Sequence, residues 1–208
     1  MNLATAAQAL GCVPVGWAAT WAARRLAGTD GPAYAAMIAI EAGVALSGVL
    51  LAPASEVPVL LLAGWTLGLL AMVDLLSLRL PDLLTLPLGV AGLVFGPGLV
   101  GTPLVEHVIG GAAGYAVLSL VSWAYARVRG RDGMGLGDAK LLAAGGAWLG
   151  WTALPNVVVL ACAGGIAWAA LRMLRRGRAG LAEPIAFGLP LCAAIWASLL
   201  LAVAGAGA

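Results

Sequence analysis

Leu69-Leu70-Ala71-Met72-Val73-Asp74-Leu75-Leu76 sets a single carboxylate inside an apolar run that reaches back to residue 57. Apart from Asp74, residues 57–77 carry no charge, and the run is long enough to cross a hydrocarbon core, which takes roughly 20 apolar residues. Other stretches read the same way, giving expected spans at 3–23, 33–52, 57–77, 83–100, 104–126, 139–154, 155–174 and 185–205. Hydrophobic residues make up 62% of the 208 and charged residues 10%, whereas soluble domains run near 25% charged. A soluble chain of this length could not hide so much apolar surface. The expected fold is all-α: a polytopic transmembrane bundle of about eight helices, forming a single membrane domain over 1–208.

Charge placement supports the division. The loops after the expected spans ending at 23, 77, 126 and 174 carry Arg24 and Arg25, Arg79, then Arg127, Arg129 and Arg131, and finally Arg172, Arg175, Arg176 and Arg178. The only lysine, Lys140, lies beside the third of these loops, while 52–58, 97–103 and Leu154-Pro155-Asn156 contain no Lys or Arg. The positive-inside rule then puts the basic loops on the cytoplasmic side of a plasma membrane and both termini outside. Arg24 and Arg25 follow the first apolar stretch rather than precede it, so that stretch reads as a retained helix and not as a signal peptide. Pro155 leaves one ambiguity. It marks either a turn between two spans or a kink within one, and the arginines at 172–178 favour the turn.

Gly64/Gly68, Gly92/Gly96, Gly110/Gly114 and Gly146/Gly150 are GxxxG pairs, which let helix backbones approach closely in lipid. They point to a compact bundle and to no particular chemistry. Cys12, Cys162 and Cys192 lie singly in apolar segments, and with the lone His107 they form no zinc-ligand or CxxC spacing. No metal or cofactor is implied. The arginines sit in short loops between spans, so the net charge of +2 gives no reason to expect nucleic acid.

Ionisable groups inside a membrane are expensive, and each is a functional hypothesis. Three carboxylates qualify: Glu41, Asp74 and Asp138. Asp74 falls one or two turns before the basic end of its span, where an ion pair with Arg79 is the structural alternative to a reactive role. Asp138 ends the run Gly133-Met134-Gly135-Leu136-Gly137-Asp138 and reads as the N-cap of the next helix. The alternating glycines support backbone conformations closed to other residues, and non-helical backbone at membrane depth is tolerated where it lines a wet cavity. The run lacks the spacing and Lys-Ser/Thr ending of a phosphate loop. In the eight-span topology Asp74 and Asp138 share the cytoplasmic face. Two neighbouring carboxylates cannot both ionise readily, so one keeps a proton while the other activates water.

Gly133-Met134-Gly135-Leu136-Gly137-Asp138-Ala139-Lys140-Leu141-Leu142 resembles the GxGD signature of the type IV prepilin (leader) peptidases. Asp74, with Leu80-Pro81-Asp82-Leu83-Leu84-Thr85-Leu86-Pro87-Leu88, is similar to that family's first aspartate and the segment after it. Pro184-Ile185-Ala186-Phe187-Gly188-Leu189-Pro190 resembles its stretch before the last helix. The resemblance spans about 60–200, the expected catalytic core. It implies an aspartic endopeptidase with Asp74 and Asp138 as catalytic pair, cleaving the basic leader from a prepilin-like precursor at the cytoplasmic face of a prokaryotic membrane. The product would enter a type IV pilus or a secretion assembly, and the implied partners are the precursor and the lipid bilayer. Gly135, Gly137, Asp82, Lys140 and Glu41 take supporting places. Asp82 follows Pro81 and reads as an N-cap; Lys140 holds a substrate carboxylate or anchors to headgroups; Glu41 resembles a glutamate of the family's second helix.

Many members carry two CxxC pairs between their first two helices, where this chain has only Leu26 to Pro32. Val15-Gly16 and Arg25-Leu26 faintly match the family's first-helix segment, with Thr20 and Ala27 at its asparagine and proline positions. The resemblance is therefore to a short, peptidase-only form, with N-methyltransferase activity doubtful. Two rival readings remain: a proton-coupled transporter using Asp74, Glu41 and Asp138 as relay groups, and a catalytically silent assembly subunit. Transporters usually show repeats and sites near the midplane, and aspartates lying far apart would favour the silent subunit.

Overall fold

A computed structural model of the chain describes residues 32–53, 55–129, 135–177 and 186–206. The expected span 3–23, Arg24, Arg25, Gly133, Met134, Pro184 and Ile185 lie outside them. Seven α-helices and no strand occur among the described residues: α1 Pro32–Leu51, α2 Val57–Ser77, α3 Asp82–Val100, α4 Leu104–Arg129, α5 Leu136–Leu149, α6 Leu154–Arg176 and α7 Gly188–Ala206. Five of them (α2, α3, α4, α6 with the turn before it, and α7) are long and apolar enough to cross a membrane. The all-α polytopic bundle is the observed architecture.

Most boundaries fall within a few residues of the expected ones. The exception is the helix expected at 139–154, which starts at Leu136 and stops at Leu149. Gly150, at φ 80°, takes the backbone left-handed, and a short 3-10 turn over Trp151–Ala153 leads into α6. Pro155 sits in the first turn of α6, where its missing N–H costs no intrahelical bond. The far part of α6 returns to the bundle end where α5 begins, because Cys162, Ile166 and Ala169 line a cavity together with Asp138. Pro155 therefore opens a returning helix and is not a kink.

Two expected N-caps are corrected. Pro81, in extended conformation, caps α3, and Asp82 is its first helical residue. The α3 start is closed by Leu84 and Thr85 N–H bonds to the Pro81 carbonyl, while the Asp82 carboxylate is engaged by Lys140. Likewise Gly135 caps α5, and Asp138 lies inside the first turn with its N–H bonded to the Gly135 carbonyl at 3.2 Å. Leu136 and Gly137 join the helix, which moves its start ahead of the aspartate.

The short α5 is the centre of the bundle, packed by α3, α4 and α7. Ala139, Leu141, Leu142 and Ala144 to Leu149 are all buried. Trp148 donates its indole N–H to the Leu88 carbonyl of α3 at 2.9 Å, so its polar edge is satisfied. His107 of α4 is fully buried, with Nδ1 2.9 Å from the Ala147 carbonyl and Nε2 2.8 Å from Thr102 Oγ1. It ties off a carbonyl at the α5 C-terminus that the helix itself cannot satisfy.

The GxxxG pairs act as close-approach points. A Cβ on Gly146 would strike the backbone of Gly110, and one on Gly110 would strike the Gly146 carbonyl. Backbone cannot swing aside as a side chain can. Gly146→Ala is therefore expected to lower stability in detergent by about 1–3 kcal/mol, the usual cost of overpacking a filled site. Thermal unfolding of the purified variant against the parent checks this.

Candidate active site

Asp74 lies three residues before the end of α2 and is 5% exposed. The Leu78 N–H closes the helix on the Asp74 carbonyl at 2.8 Å, with Leu78 itself left-handed at φ 52°. That turn directs Arg79 to Asp82 back across the end of the bundle. The ion pair with Arg79 is not what holds Asp74. Its Oδ2 accepts the backbone N–H of Leu189 at 3.1 Å, and the amide of Gly188 also bonds to it. These amides open α7, where the first N–H groups of a helix lack internal partners and suit an anion.

Gly188 makes this approach possible. A Cβ there would lie 2.7 Å from Asp74 Oδ2 and 2.8 Å from its Cγ. Phe187-Gly188-Leu189 stands out in the sequence only as part of a motif, with no role of its own. The available signal was a glycine opening an apolar helix without an Asp, Ser or Thr cap.

Asp138 reaches the same place from α5. Asp74, Asp82, Gly135, Gly137 and Asp138 line one cavity of about 1010 Å³, walled also by Leu78, Leu80, Phe187 and the Cys162, Gly165, Ile166 and Ala169 face of α6. The two aspartates are close enough for the charge on Asp74 to act on Asp138. The glycines work differently from expectation. Gly135 has φ −71° and ψ 140°, backbone open to any residue. Gly137 matters for space, since a Cβ there would lie 3.0 Å from Leu80 Cβ.

Lys140 pairs with both carboxylate oxygens of Asp82, at 2.6 and 2.7 Å. Glu41 is not brought to the cavity. It is buried in α1 beside Gly68 of α2, where a Cβ would lie 2.8 Å from Glu41 Oε1. Its Oε2 has no hydrogen-bond partner among the described residues. A three-acid relay through Asp74, Asp138 and Glu41 thus loses one of its members from the shared cavity. Arg79 also lines that cavity, and Arg172, Arg175 and Arg176 line a neighbouring one that shares Leu78. Among the described residues no group of three or more His, Cys, Asp or Glu side chains is arranged to hold a metal ion.

The sequence pattern of the type IV leader peptidase family matches residues 61–170, which run from α2 through most of α6 and contain both aspartates. The chain belongs to that family. A prepilin leader peptidase/N-methyltransferase of Aeromonas salmonicida is 48% identical over 143 residues, covering 67% of this chain and 48% of the relative. One from Aeromonas hydrophila is 42% identical over 187 residues, covering 86% and 63%. A third, from Dickeya chrysanthemi, is 46% identical over 119 residues, covering 57% and 42%. The chain thus spans about half the length of the first of these leader peptidases. No solved structure matches it.

Proposed function

We propose that the chain is a membrane aspartic endopeptidase that removes the leader from a prepilin-like precursor, using Asp74 and Asp138 as a dyad. The observation that carries this is the shared cavity: carboxylates from α2 and α5 line one space, near enough for the charge on Asp74 to reach Asp138. In such a pair one carboxyl keeps a proton and the other stays ionised. The ionised member takes a proton from a water as that water attacks the scissile carbonyl, and the protonated member hydrogen-bonds to the carbonyl oxygen. Proton transfer to the amine then releases it. The pair titrates as a unit, so the acid and base roles belong to the dyad. No covalent intermediate is needed. The printed names of the relatives, prepilin leader peptidases, support the substrate class.

We further place the site at the cytoplasmic face of a prokaryotic plasma membrane. Arg79 lines the catalytic cavity, and Arg172, Arg175 and Arg176 line the one beside it; the positive-inside rule assigns the end that carries such arginines to the cytoplasm. Residues 60–200 form the core of this peptidase activity, the first of the two named for the relatives.

Co-expression with candidate precursors from the same genome tests the reading. The expected result is a precursor shortened by the length of its leader, with cleavage by the purified protein unaffected by a metal chelator or by serine-directed reagents. Full-length precursor in every pairing, or inhibition by the chelator, would refute the mechanism.

A further inference from the structure

We infer that Lys140 and Asp82 form a positioning clamp that seats the first turn of α5, and with it Asp138, at the catalytic geometry. The inference rests on the peptidase reading for its kinetic consequence, while its structural basis is separate.

The two dyad aspartates are supported from different sides. Asp74 is deep in α2 and is held by the amides that open α7. Among the described residues no backbone amide of another helix holds the Asp138 carboxylate in this way. Asp138 lies in the first turn of α5, whose N-cap Gly135 offers no side-chain hydrogen bond. A helix end whose N-cap residue supplies no side-chain acceptor leaves leading N–H groups unpaired and frays more readily. Ala139 seats the end of this turn in the core, and two contacts ahead of and behind it go to one short segment. Gly137 fits against Leu80, and the Lys140 ammonium is bonded to both oxygens of Asp82. That segment is itself firm, since the Pro81 carbonyl accepts the Leu84 and Thr85 N–H groups at the start of α3.

Lys140 is two residues from Asp138, so its side chain leaves the helix on a different face. It cannot bond Asp138 while bonding Asp82, and its influence on the dyad runs through the backbone of the turn. The pair stands at a border. Asp82 lines the catalytic cavity, and Lys140 lines a separate apolar cavity of about 410 Å³ between α3 and α4. Their side chains are 55% and 30% exposed respectively, and ion pairs that open to solvent contribute little to overall stability. A bidentate contact at such a place serves geometry more than folding, and reacting groups lose rate steeply when displaced by about an ångström.

Lys140→Ala and Asp82→Ala are each expected to lower kcat for precursor cleavage by roughly 10- to 100-fold, with KM changed by less than about twofold. Thermal stability should stay near that of the parent. Lys140→Arg should keep most of the rate, and the exchanged pair D82K/K140D should exceed either alanine variant. Unchanged kcat in Lys140→Ala, or a loss carried by KM alone, would overturn the clamp; the latter would make Lys140 a substrate-binding residue. A second measurement needs no activity. Spin labels at L83C and L136C, exposed positions in the first turns of α3 and α5, with Cys12, Cys162 and Cys192 replaced by Ala, report the separation of the two turns and leave the dyad intact. Lys140→Ala should broaden their dipolar distribution. If no precursor is cut but the broadening appears, the peptidase reading falls and the clamp stands; if cleavage is intact and the distribution unmoved, the clamp falls alone.

Discussion

Asp74→Asn and Asp138→Asn should each abolish precursor cleavage while leaving the protein in the membrane at parental abundance. Asn matches Asp in shape and cannot give up or share a proton on the reaction coordinate. Loss of one general acid or base costs roughly 10²–10⁴-fold, and a dyad that works as a unit loses both functions when one member is removed. Neither substitution should harm the fold, since it takes a charge out of a place where burying it costs about 2.5–3.5 kcal/mol on insertion scales. Asp74→Asn can also keep its carbonyl oxygen against the Leu189 N–H, so the start of α7 stays anchored. The measurement is precursor size on a gel beside the abundance of each variant in the membrane fraction. Cleavage that persists in either variant would remove that aspartate from the mechanism.

Gly188→Ala should come next in severity. The added methyl would sit 2.7 Å from Asp74 Oδ2 and 3.2 Å from its Cβ, too close for either group to remain in place. Asp74 is buried and its helix is packed along its length, so relief comes by rotating the carboxylate away from the amide or by moving the start of α7 outward. Either motion separates Asp74 from Leu189 and misaligns it with Asp138. The expected loss in kcat is about 100-fold, the scale of an ångström misplacement. Asp74 and Asp138 remain chemically intact in this variant, so restored cleavage in a second-site revertant that widens the α2–α7 approach would confirm a steric cause. Parental kcat in Gly188→Ala would show that the α7 amides are not needed where the structure puts them.

Much of the bundle was legible because membrane helices write their limits in charge. Arg79 and the arginines at 172–178 marked span ends, and the GxxxG pairs marked a compact bundle without saying which helices meet. The end of α5 was not legible. Gly150, Trp151, Thr152, Ala153 and Leu154 continue the apolar run, and hydropathy cannot distinguish a span from a buried helix that stops early. Asp74 and Asp138 were legible as carboxylates in costly surroundings. Their supports were not, since the Leu189 amide lies 115 residues from Asp74 and Asp82 lies 58 from Lys140. A capping reading of Asp82 and Asp138 used only local sequence: Asp82 opens α3 behind Pro81 with its carboxylate taken up by Lys140, and α5 begins at Leu136, two residues ahead of Asp138.

At 14 residues, α5 is about 21 Å long at 1.5 Å per residue, well short of a hydrocarbon core near 30 Å. Its neighbours sheath it from Ala139 onward, so acyl chains have almost no purchase on the helix that carries Asp138. Thickening or thinning of the bilayer acts instead on the outer helices, which absorb mismatch by tilting. The depth of the reaction centre is thereby referred to protein rather than to lipid, and the chemistry should run at similar rates in short-chain and long-chain membranes.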